Sequence, residues 1–136
     1  MAFFNRETGC ITFPDGLVVQ AGMDASALEA LYRNQRELVL APRSVPGGQV
    51  GALVGVEDGR ISYVLLSVSA VTGRVHAGGA RQREFLLELL GLRDPCPQSL
   101  SCARFTAPFG SVWMLTQPYT GAFSALIQYK PLQEEH

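Results

Sequence analysis

Two long β-prone runs, Gln49 to Val56 and Arg60 to Ala70, meet at Glu57-Asp58-Gly59. Asp-Gly between apolar runs is the strongest short-range hairpin signal, because both turn residues tolerate the positive φ of a tight reversal. The chain is therefore expected to be built round antiparallel strands. Further hairpins are expected on either side. Gly9-Cys-Ile-Thr-Phe13 and Leu17-Val-Val19 are separated by Pro14-Asp15-Gly16, where proline presets φ and glycine accepts the reversal. Ser111 to Gln117 and Ala122 to Tyr129 form a last hairpin around Pro118-Tyr119-Thr120-Gly121. In it Phe123, Ala125, Ile127 and Tyr129 share one face, opposite Ser124 and Gln128. A turn at Val71-Thr72-Gly73-Arg74 leads to one more strand around Val75 to Ala77.

Helical spacing predicts two helices. The first begins at Asp24, or at a capping box of Ser26 and Glu29. Ala27, Leu28, Leu31, Tyr32 and Leu38 make its apolar stripe, and Glu29, Arg33, Arg36 and Glu37 its wet side. A loop through Ala41-Pro42-Arg43-Ser44-Val45-Pro46-Gly47-Gly48 follows. The second helix runs from Ala80 to Leu90, with Phe85, Leu86, Leu89 and Leu90 inward and Arg81, Glu84 and Glu88 outward, and Gly91 stops it. The expected fold is α+β: a mainly antiparallel sheet of about five to seven strands packed against two helices. A partly closed barrel with helices at its rim is the alternative. The 136 residues suit a single domain over 1–136, with a flexible tail at 131–136.

Composition removes several function classes. A chain that is 47% hydrophobic with a net charge of −1 is neither globally disordered nor broadly basic. Arg33, Arg36 and Arg43 form a patch that Glu29 and Glu37 interrupt, so no nucleic-acid partner is expected. The opening residues lack a basic segment leading into an apolar one, and no apolar run approaches the roughly 20 residues of a membrane span. The expectation is a cytoplasmic protein without a membrane partner, its Cys10, Cys96 and Cys102 reduced.

Catalytic chemistry is sparse. The cysteines show no C-x-x-C, the histidines are only His76 and His136, and H-E-x-x-H and EF-hand patterns do not occur, so no metal site is expected. Gly78-Gly79-Ala80-Arg81 precedes a helix but lacks the spacing of a nucleotide-binding loop, and G-x-S-x-G is missing. Glu57-Asp58 sits at a turn and Glu84 and Glu88 on an outer face, where carboxylates stay solvated. No catalytic residue and no cofactor are expected. The alternative is a small-molecule-binding or enzymatic domain with a pocket near His76.

Charge is scarce, at 17% against a usual 25% or so, and the scarcity is local. Between Pro95 and Tyr129 the only formal charge is Arg104, while Phe105, Phe109, Trp113, Tyr119, Phe123 and Tyr129 all fall there. A neutral, aromatic-bearing surface is what an interface favours at its centre. Arg104, Phe109, Trp113 and Tyr119 are the candidate contacts, with Arg43 and Asp58 as secondary ones. The expected partner is another protein or a second copy of the chain.

Gly9-x-Ile11-x-Phe13-Pro-Asp-Gly16, with the closing Trp113, Tyr119-x-x-Gly and Ile127-x-Tyr129, resembles a loose set of small bacterial proteins. Some of these look like immunity proteins, which neutralise a cognate toxin by binding it. The resemblance touches both ends of the chain and implies a binding role without any catalytic residue. Pro118-Tyr119-Thr120-Gly121 departs from the more acidic turn of that pattern.

Overall fold

A computed structural model describes residues 3–71, 79–92, 103–116 and 123–130. The elements in chain order are β1 (Ile11–Thr12), β2 (Val18–Val19), a 3-10 turn (Ala25–Ala27), β3 (Tyr32–Arg33), β4 (Glu37–Val45), β5 (Gly48–Glu57) and β6 (Arg60–Val71). Then come α1 (Gly79–Leu90), β7 (Ala103–Ala107), β8 (Gly110–Thr116) and β9 (Phe123–Tyr129). Among the described residues β3 to β9 form one seven-stranded sheet in the order β3-β4-β5-β6-β9-β8-β7, antiparallel throughout. Two meanders, β3 to β6 and β7 to β9, therefore join along β6 and β9.

Local chemistry sets each reversal. Asp58 at φ 54° and Gly59 at φ 77° make the two-residue turn between β5 and β6, the conformation expected of Asp-Gly. Pro14-Asp15-Gly16 likewise turns β1 into β2, with the Phe13 amide donating to the Leu17 carbonyl at 2.8 Å. Gly91 at φ 69° ends α1, where the Leu92 amide reaches the Leu87 carbonyl at 2.9 Å and the Gly91 amide reaches Glu88 at 3.1 Å.

One face of the sheet carries the core. Leu38, Leu40, Val50, Val54, Val64, Leu66, Val112, Met114, Ala125 and Ile127 point into it, and Phe85, Leu86 and Leu90 of α1 join the same cluster. The N-terminal segment covers the rest of that face through Phe3, Phe4, Ile11 and Phe13. Tyr129 ties it down by donating its hydroxyl hydrogen to the Gly9 carbonyl at 2.7 Å, and burial pushes that phenol's pKa well up. On β9 Phe123, Ala125, Ile127 and Tyr129 share one face, as the alternation predicts, and that face is the inward one.

The expectation of two helices is corrected to one. Asp24 does cap a turn, its carboxylate accepting from the Ser26 amide at 2.9 Å, but the turn ends at Leu28, which is extended. Asn34 explains the departure: its side-chain oxygen accepts from the amides of Arg36 and Glu37 at 2.7 and 2.8 Å, folding the chain into a β3–β4 reversal. Leu28 and Leu38 are buried as the stripe requires, whereas Leu31 is 71% and Tyr32 57% exposed. From Glu37 to Leu40 burial alternates every second residue, and pairing with β5 prevails over helical spacing.

The loop expected over 41–48 is also corrected. Residues 41–45 continue β4, and Pro42 sits where the register with β5 shifts between Leu40 and Arg43. A bulge leaves a residue outside the ladder, so the missing proline N–H costs nothing there. The reversal itself is confined to Pro46-Gly47, with Gly47 at φ 87°. β7 is a strand to which the sequence reading assigns no element. The expected strand at Val75 to Ala77, the turns at 71–74 and 118–121, Cys96, Cys102 and the tail 131–136 reach into or lie within segments outside the described residues. Among the described residues no helix is long and apolar enough to cross a membrane.

Candidate functional site

The second face of the sheet is built by the same pleat that builds the core. Each strand alternates its side chains, so the neighbours of core residues point the other way. Register places seven of them in one line. Tyr32 pairs with Val39, Val39 with Leu53, Leu53 with Leu65, Leu65 with Leu126, Leu126 with Trp113 and Trp113 with Arg104. The line crosses all seven strands. Val39, Leu53, Leu65, Leu126 and Trp113 are half-buried, and none is packed against the core cluster.

The flanking rows are largely polar, with Glu37 as their one formal charge. On one side Glu37, Gly55, Tyr63, Gln128, Ser111 and Thr106 follow one another in register. On the other side stand Gly51, Ser67, Ser124 and Leu115, with the hydroxyls of Ser67 and Ser124 3.3 Å apart. Of these three rows only Glu37 and Arg104 carry formal charge, and they sit toward opposite edges. Arg104 places its guanidinium carbon 4.9 Å from the centre of the Trp113 ring, so the two side chains stack on the face. Tyr63 leans toward β4, its hydroxyl 3.5 Å from a Glu37 carboxylate oxygen. Partial burial and the nearby Glu37 charge push the Tyr63 phenol pKa up.

The candidate residues thus separate. Arg104 and Trp113 lie side by side on this face, which is open among the described residues. Phe109 is buried, its ring edge-on to Phe4 at 5.6 Å and to Tyr129 at 5.9 Å. Arg43 belongs to the covered side, where it pairs with Asp15 and lies over the Phe13 ring. Asp58 is exposed at its turn, with a conformation that serves the reversal. Tyr119 and His76 lie outside the described residues. A groove of about 830 Å³, lined among others by Phe4, Arg6, Cys10, Thr12 and Phe105, opens beside Phe109 on the covered side. Among the described residues no group of three or more histidines, cysteines or carboxylates is placed to hold a metal ion.

Val39, Leu53, Leu65 and Leu126 are residues of this face that the sequence reading does not single out. Their signal is nonetheless present. Ala52-Leu53-Val54, Val64-Leu65-Leu66 and Ala125-Leu126-Ile127 are apolar at three successive positions, so these strands are apolar on both faces. An antiparallel sheet with one wet face alternates instead. Comparison with protein-family models, curated proteins and solved structures gives no match to this chain.

Proposed function

We propose that this chain is a non-enzymatic protein that acts by protein–protein contact through the open face of its sheet. The observation that supports this reading is the unbroken row from Tyr32 to Arg104, apolar in its middle and bordered by largely polar rows in which Glu37 is the one formal charge. Large contiguous apolar patches rimmed by polar groups are characteristic of interaction surfaces. Depletion of charge at the centre keeps desolvation cheap when a partner arrives. The partner that this reading expects is another protein, as in the toxin neutralisation that the resemblance implies, or a second copy of the chain.

The test compares the full chain with Leu126→Arg, after circular dichroism has established that the variant folds. A partner recovered with the wild-type protein is purified and titrated calorimetrically against both. The expected result is an affinity at least about ten-fold weaker for the variant, with Glu84→Ala on the outer side of α1 unchanged. A folded Leu126→Arg chain that retains full affinity overturns the reading.

A further inference from the structure

We infer that the occupant of the open face is a second copy of this chain, packed face to face about a two-fold axis that runs along β6 past Leu65. This rests on the reading of that face as the binding surface. The sheet order puts three strands on either side of β6. An axis parallel to the strands, lying between the two sheets, sets β9 over the other copy's β5, β8 over its β4 and β7 over its β3. Leu65 then meets its own counterpart, Leu126 meets Leu53, and Trp113 meets Val39. Arg104 comes down on Tyr32.

Charge selects this axis. Glu37 stands one strand inward and one row away from Tyr32. Steps of about 4.8 Å between strands and 6.7 Å between rows, across sheets about 10 Å apart, are spanned by an extended arginine and an extended glutamate side chain together. The two formal charges of these three rows, Arg104 and Glu37, therefore pair across the interface, twice by symmetry, and Arg104 keeps an aromatic partner in Tyr32. An axis perpendicular to the strands also keeps the sheets aligned, but it stacks Arg104 on Arg104. Like charges facing each other across an interface are strongly disfavoured. Area agrees: six strand spacings by three rows cover roughly 600 Å² per copy, or about 1,200 Å² in all. That is the lower edge of a stable specific interface, and the expected dissociation constant is on the order of micromolar.

Sedimentation of the full chain up to about 200 µM tests the inference, together with Leu65→Arg, Arg104→Glu, Glu37→Arg and the double variant Arg104→Glu/Glu37→Arg. The wild type is expected to be a dimer and Leu65→Arg a folded monomer. Arg104→Glu is expected to weaken association about ten-fold or more, and the double variant to recover most of that loss. Should Leu65→Arg not fold, the charge-swap pair decides the matter. A monomeric wild type, a dimer that survives Leu65→Arg, or a double variant no better than its singles overturns the second copy. A monomer that binds a different protein through Leu126 overturns this inference and leaves the binding role standing. Partner binding indifferent to Leu126→Arg removes the role of the face itself.

Discussion

The ring of Tyr63 occupies the place that a side chain on Gly55, its cross-strand partner, would take. A Cβ at Gly55 would lie 2.0 to 2.4 Å from three ring carbons of Tyr63. The glycine is thus shielded by its neighbour's ring, and the ring is held against the sheet, leaning toward Glu37. Glycine weakens a strand by leaving nothing to pack, and an aromatic laid across it restores that packing.

Gly55→Ala is accordingly expected to destabilise the fold by about 1–3 kcal/mol, the usual cost of overpacking. Urea unfolding measures it. In a Tyr63→Ala background the same substitution should cost markedly less, because the clash is gone. Equal costs in the two backgrounds would show that the ring is not what the glycine accommodates.

Tyr129 and Gly9 fasten the N-terminal segment to the sheet. Tyr129→Phe leaves the buried Gly9 carbonyl without its donor and is expected to cost about 1–3 kcal/mol. Gly9→Ala should cost more, since its φ is 76° and a Cβ would lie 2.6 to 2.8 Å from the rings of Tyr129 and Phe109. Thermal unfolding of both variants gives the order, and a reversed order refutes the account.

Trp113 and Met114 are adjacent in β8 and face opposite sides. Met114 is fully buried, so Met114→Ala is expected to cost about 2–5 kcal/mol. Trp113→Ala, on the open face, should cost well under that and act instead on association. If Trp113→Ala unfolds the chain, Trp113 is a core residue and its role as a contact fails.

Acid stability should depend on two turn carboxylates. The Leu17 amide, aided by the Arg43 charge, holds the Asp15 carboxyl below its ordinary value of 3.8, and the Ser26 amide and hydroxyl do the same for Asp24. A group whose folded pKa is depressed stabilises the native state above its unfolded pKa. That contribution disappears as pH falls through the folded value. Asp15→Asn and Asp24→Asn should therefore flatten the fall in melting temperature between about pH 5 and pH 2. An unchanged slope in both variants contradicts the assignment.

Turn chemistry was the most legible part of the fold. Asp58-Gly59, Pro14-Asp15-Gly16 and Gly91 each carry their conformational requirement in the residue itself, and each reversal is where that requirement puts it. The segment from Asp24 to Val45 was not legible, because its outcome is decided by contacts distant in sequence. Leu28, Leu31 and Leu38 satisfy helical spacing, yet the Asn34 side chain and the β5 ladder impose extension. Pro42 reads as a breaker until a bulge gives it somewhere to sit. The open face was half legible. Lack of charge between Pro95 and Tyr129 pointed to Trp113 and Arg104, but the continuation through Leu65, Leu53 and Val39 needs the register, which no local pattern states.

Among the described strands of the large sheet, every ladder but one joins neighbours in sequence, and the exception is β6 with β9. Each meander can zip up from its own turns, whereas the meeting of the two halves must wait for a long stretch of chain to close on itself. Loop closure of that kind is the slow step of sheet assembly. Leu65 and Leu126 lie on either side of that late seam, at the middle of the open face. Whatever settles there grips both halves at once, so a bound chain should come apart more slowly than a free one even where its final strength is little changed.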